Sequence, residues 1–79
     1  MKVRVKLFGI LGQGFPGYRH EQGMEVEIQD GARVKELLAH LKISKSFGGV
    51  VAVEGKLLAE DAGLDHGAEV NIFQSVFGG

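Results

Sequence analysis

Residues 2–8 alternate strictly, with Val3, Val5 and Leu7 on one side and Lys2, Arg4, Lys6 and Phe8 on the other. This is the period of a half-buried strand. No period survives from residue 9 to 23, where Gly9, Gly12, Gly14, Pro16, Gly17 and Gly23 surround Phe15, Tyr18 and His20. That composition predicts a long, turn-rich connection. Alternation returns at Met24, Val26 and Ile28, with Glu25, Glu27 and Gln29 opposite. A second strand is therefore predicted to pair with the first as a wide hairpin, its acidic outer face against the basic one. From Arg33 the spacing changes to Val34, Leu37, Leu38, Leu41, the stripe of an amphipathic helix from about residue 32 or 33 to 41. Asp30 is the available N-cap, because its carboxylate can accept from first-turn amides.

Ser44 to Gly49 reads as a loop and Val50 to Glu54 as a short apolar strand. A turn at Gly55-Lys56 leads to a brief strand at Leu57-Leu58. Residues 59–67 form a polar connector with Leu64 as a core anchor, and Ala68 to Phe73 is a last strand with Val70 and Ile72 inward. The order is strand, strand, helix, strand, short strand, strand. One helix must cover one face of the sheet, which gives a two-layer α+β domain. Because the helix intervenes, the last strand can lie parallel to the first. The prediction is a β-grasp, a mixed sheet of about five strands packed on one helix.

Seventy-nine residues accommodate one domain, residues 1–79, and exclude a multidomain enzyme. Nine Lys and Arg against ten Asp and Glu give a net charge of -1, which supplies no bulk attraction to nucleic acid or an anionic membrane. No apolar run approaches the length of a membrane span, so the expectation is a soluble cytoplasmic protein without nucleic-acid or membrane partners. Without any Cys there is no disulfide, no cysteine zinc site and no thiol nucleophile.

Gly12-x-Gly14-x-x-Gly17 matches the dinucleotide-binding pattern and follows a strand. That fingerprint needs a helix opening inside the motif to receive the pyrophosphate, and Pro16, Gly17 and the return to strand alternation at Met24 exclude one. His20, His40 and His66 stand far apart, with no carboxylate or second His at ligand spacing, so no metal site is expected. Ser44, Ser46 and Ser75 lack a glycine-framed elbow or an identifiable base. Glu60, Asp61 and Asp65 read as solvated connector, and no catalytic constellation emerges.

The sequence finishes Phe77-Gly78-Gly79. Two glycines fall on those last two positions by chance with a probability of roughly 0.03 on this composition. A tail without Cβ atoms at its last two residues can thread a narrow channel and carry its carboxylate to a buried catalytic centre, the alternative being a frayed end. The preceding strand would hold it on a short tether from a rigid sheet.

With these features the chain resembles the MoaD/ThiS family of ubiquitin-like sulfur carriers, which includes the small subunit of molybdopterin synthase and the thiamine sulfur carrier. The resemblance rests on Val3 to Phe8, Asp30-Gly31-Ala32-Arg33-Val34-Lys35-Glu36-Leu37-Leu38, Val51-Ala52-Val53-Glu54-Gly55-Lys56, Leu64-Asp65-His66-Gly67-Ala68-Glu69-Val70, Ile72-Phe73 and terminal Gly78-Gly79. The chain departs from the family's usual small hydroxyl residue at Arg33, from its Gly-Asp pair at Gly67-Ala68, and from a smaller residue at Phe77. Phe73-Gln74 is closer to thiamine carriers, whereas the long first hairpin is closer to the molybdopterin branch.

The resemblance implies chemistry at Gly79: adenylation of its carboxylate, then conversion to a thiocarboxylate that donates sulfur in cofactor biosynthesis. Molybdopterin or tungstopterin is favoured over the thiamine thiazole. The implied partners are a ubiquitin-activator-like adenylating enzyme and a sulfur-accepting synthase, either the molybdopterin synthase large subunit or thiazole synthase. The domain is then a protein cosubstrate with no catalytic residues, metal or bound cofactor of its own, and Mg-ATP belongs to the activating enzyme. Gly78 and Phe77 would form the tail that enters the channel.

If the first and last strands are parallel neighbours, Phe8 and Phe73 meet on the face opposite the helix and offer a docking patch. The alternative is that Ile10, Leu11 or Phe15 folds over and buries them. Two further functions compete: a protein modifier transferred through Gly79 to lysines, and a non-covalent β-grasp interaction module.

Overall fold

The computed structural model describes residues 1–43 and 48–74, without the side chains of Ile10 and Gln74. Its strands are β1 (Lys2–Leu7), β2 (Met24–Glu27), β3 (Gly48–Val53), β4 (Lys56–Leu58) and β5 (Glu69–Gln74), with one helix, α1 (Val34–His40). They form a mixed five-stranded sheet in the order β2-β1-β5-β3-β4. β1 and β5 run parallel, and the other neighbouring pairs are antiparallel. The predicted β-grasp is present, with the first and last strands side by side at its centre.

Alternation explains the layers. Val3, Val5, Leu7, Val26, Val51, Val70 and Ile72 face inward and meet Val34, Leu37, Leu38 and Leu41 of the helical segment. Leu64 anchors the 59–67 connector in the same core. On the outer face Lys2 pairs with Glu25 at 3.9 Å and Lys6 with Glu69 at 3.7 Å, so the basic edge of β1 meets acids on both its neighbours.

The helix starts differently from the sequence reading. Arg33, not Asp30, is the N-cap, and a guanidinium has no acceptor with which to satisfy first-turn amides. The connector supplies the acceptors instead. Val34 N–H donates to the Ala62 carbonyl (2.9 Å) and Lys35 N–H to the Glu60 carbonyl (3.0 Å). Glu36 Oε1 reaches back to accept from the Arg33 N–H at 2.8 Å, half of a capping box. Asp30 is engaged elsewhere, 2.9 Å from the Met1 ammonium, which holds its carboxyl below the ordinary value of 3.8 through a hydrogen bond and charge attraction. Asp61 pairs with Lys35 at 3.1 Å, so the acidic connector is stitched to the helix rather than merely solvated.

The helix stops in a Schellman arrangement. Ile43 N–H donates to the Leu38 carbonyl (2.9 Å) and Lys42 N–H to the Ala39 carbonyl (3.0 Å), with Lys42 left-handed at φ 61°.

Three further boundaries shift. β3 begins at Gly48, two residues before the expected Val50. The β3–β4 turn is centred on Glu54-Gly55, both at positive φ (54° and 79°), rather than on Gly55-Lys56. That pair is the two-residue hairpin geometry whose twist matches its strands. The 9–23 connection contains a 3-10 helix at Gly9–Gly14, which apolar periodicity does not reveal because glycines hold three of its six positions. No α-helix follows Gly17, whose φ is +82°, so the glycine motif forms turns and no dinucleotide cradle.

Candidate functional site

Parallel pairing sets Leu7 opposite Ile72, so the next outward residues, Phe8 and Phe73, come together on the face opposite the helix. Their rings stack with centroids 4.5 Å apart and planes 18° from parallel. Both remain half-buried rather than covered. Leu11 turns into the core and Phe15 packs against it, while the side chain of Ile10 lies outside what the structure describes. β5 runs in the direction of β1, so its last residue, Gln74, lies at the end of the sheet where these rings sit, paired with Gly48.

The register extends the apolar surface. Val50 lies opposite Phe73, and Ala52 lies between Asn71 and Leu57. Phe8, Phe73 and Val50 make one row on the open face, with Asn71, Ala52 and Leu57 in the next. Val50 is 38% exposed and Leu57 74%, while Ala52 is buried. The Asn71 Oδ1 is buried without a hydrogen-bond partner among the described residues. The open face is thus divided, with ion-paired β1 and β2 residues on one half and apolar side chains on the other. Among the described residues, Val50 and Leu57 are the large exposed apolar side chains of this half, beside the half-buried Phe8 and Phe73.

Sequence reading brought Phe8 and Phe73 together on this face but did not single out Val50 and Leu57. Their alternation with inward Val51 and Leu58 was the available signal, hidden because β3 reads as one continuous apolar run. It also missed that Tyr18 and His20 come back from the long connection, Tyr18 to the Leu7 backbone and His20 to the Phe8 ring. His20 stands edge-on to Phe8, with centroids 4.8 Å apart and planes at 84°. No local pattern announces a contact made by an aperiodic loop.

The remaining candidates fall apart spatially. His66 Nδ1 accepts from the Lys2 N–H at 3.1 Å, and His40 is exposed in the last turn of the helix. Among the described residues no three His, Cys, Asp or Glu are grouped to hold a metal. No described helix is long and apolar enough to cross a membrane. Phe77, Gly78 and Gly79, with Ser44, Ser46 and Ser75, lie outside the described residues.

Comparison with known proteins places this geometry. The ThiS family model matches residues 5–79. A Pyrococcus furiosus protein designated molybdopterin converting factor, subunit 1, is 27% identical, with a TM-score of 0.70 over 96% of this chain and 99% of its own. SAMP1 from Haloferax volcanii shares the fold at 22% identity, with a TM-score of 0.69 and full coverage of both chains. No curated protein sequence matches the chain.

Proposed function

The chain belongs to the ThiS family, and from that premise we propose that it is a sulfur carrier whose cargo rides on the terminal carbonyl of Gly79. The observation that carries the reading is the parallel β1–β5 pair, which brings Phe8 and Phe73 together near the C-terminal end of β5. An enzyme that docks on this face would lie beside the end of β5, five residues of sequence before Gly79.

The chemistry follows from the poor reactivity of a carboxylate. Attack of the Gly79 carboxylate on the α-phosphate of ATP releases pyrophosphate and leaves an acyl-adenylate, whose AMP is a good leaving group. A hydrosulfide equivalent then attacks the carbonyl carbon. The C–O bond to AMP breaks, AMP and a proton depart, and a thiocarboxylate remains. The partner supplies Mg-ATP and every acid, base and metal, and this domain supplies the docking face and the tail. The absence of Cys from the chain agrees with cargo held on the main-chain terminus.

A molybdopterin-type acceptor is favoured over a thiazole-forming one. The likeness to the converting-factor subunit and the long β1–β2 connection both support that choice. The test is pyrophosphate release by the source organism's adenylating enzyme with ATP, comparing the full chain with one lacking Gly79. Release that needs Gly79 supports the carrier. Equal release from both chains, or from neither, removes it.

A further inference from the structure

Two residues of the β1–β2 connection meet the end of β1 on the edge where β2 has stopped. Arg4 and Phe8 direct their N–H groups toward β5, donating to Ala68 and Ile72 carbonyls at 2.9 Å, so Leu7 directs its own toward the opposite edge. β2 begins opposite Val5 and does not reach Leu7. The Tyr18 hydroxyl takes the place of the missing strand. Leu7 N–H donates to its oxygen at 2.6 Å, and the hydroxyl lies 3.3 Å from the Leu7 carbonyl. Backbone groups at a half-covered strand end need such a partner.

His20 is attached to the same point. Its Nδ1 lies 3.3 Å from the Leu7 carbonyl and 3.3 Å from the Tyr18 hydroxyl, which holds the imidazole in a T-shaped contact with Phe8. Phe8 is therefore held on two sides, stacked on Phe73 and met edge-on by His20. Both arrangements are favoured by the ring quadrupole. Gly12 makes the approach of Tyr18 possible, because a Cβ there would lie 2.9 Å from the Tyr18 ring.

Resting on the docking role given to Phe8 above, we propose that Tyr18 and His20 are positioning residues for partner recognition. Tyr18 fixes the backbone of Leu7, and His20 fixes the ring of Phe8. The long connection thereby sets the shape of the aromatic surface presented to the adenylating enzyme.

The test is His20→Ala, a change at an exposed residue that leaves the core intact. Two readouts are taken: the NMR ring-proton shifts of Phe8 and Phe73 in the free protein, and KM against kcat for the chain as substrate in ATP–pyrophosphate exchange by the adenylating enzyme. The proposal expects the Phe8 shifts to move and KM to rise about threefold to tenfold with kcat unchanged. Unmoved ring shifts overturn it, since Phe73 alone would then hold Phe8. Shifts that move while KM stays constant leave the positioning standing and overturn the docking role of Phe8 instead. Tyr18→Phe, which removes only the hydroxyl, is expected to broaden or shift the Leu7 amide signal and move the Phe8 ring in the same sense.

Discussion

Phe8 stacks on Phe73 with 4.5 Å between ring centroids because β1 and β5, from opposite ends of the chain, run parallel with Leu7 opposite Ile72. A slip of one residue by either strand would turn its ring into the core and put Leu7 or Ile72 in its place on the open face. The contact therefore depends on the central strand pair, and the patch is as rigid as the sheet beneath it.

Phe73→Ala is expected to leave the fold intact, because the ring is half-buried on the open face and the inward residues of β5 remain. Binding to the adenylating enzyme should weaken by about 2 kcal/mol, the scale of an interface hot spot. Titration calorimetry with that enzyme checks it. An unchanged dissociation constant, with an unchanged circular dichroism spectrum, would take Phe73 out of the interface.

Leu57→Lys probes the far side of the same face. Leu57 is 74% exposed, so folding stability should change by no more than about 0.5 kcal/mol. If the docking surface extends from Phe8 across Val50 to β4, the charge weakens the complex by about tenfold. A complex as tight as the wild type confines the interface to the Phe8–Phe73 end.

The β1–β2 hairpin, the parallel first and last strands and most of the core were legible in the sequence because β1, β2 and β5 alternate and the helix changes the period at Arg33. The helix cap was not. Asp30 has the right chemistry for an N-cap, but the acceptors come from the carbonyls of Glu60 and Ala62, which no local pattern reveals. Phe8 and Phe73 could be paired once parallel strands were inferred. Val50 and Leu57 could not be singled out inside apolar runs, and the contacts of Tyr18 and His20 depend on the path of an aperiodic loop.

Lys42 occupies the left-handed position that ends α1, at φ 61°, where a Cβ is unfavourable and glycine is the usual residue. Lys42→Gly should stabilise the protein by about 0.5–1 kcal/mol, the relief of that backbone strain less the entropy glycine adds to the unfolded chain. Chemical denaturation checks the sign. Lower stability of the glycine variant would mean that the Lys42 side chain contributes more than its backbone costs.

The Met1–Asp30 pair makes stability depend on acid. The N-terminal ammonium lowers the Asp30 pKa in the folded state below the ordinary 3.8. Its contribution is therefore complete above the unfolded-state value and is lost as pH falls through the folded-state value. Comparing Tm of the wild type and Asp30→Asn from neutral pH downward, the difference should shrink in the acid range below about pH 4. A difference independent of pH would assign the effect to something other than the charge on Asp30.

The central claim concerns the terminal carbonyl of Gly79, and intact-mass spectrometry reads it directly. The protein is incubated with the adenylating enzyme, Mg-ATP and a sulfide source, in parallel with a chain lacking Gly79. The account expects a mass gain equal to one oxygen replaced by sulfur in the full chain and none in the shortened one. No sulfur and no AMP adduct on the full chain, with each adenylating enzyme of the source organism, would contradict it and leave a β-grasp that acts by docking alone.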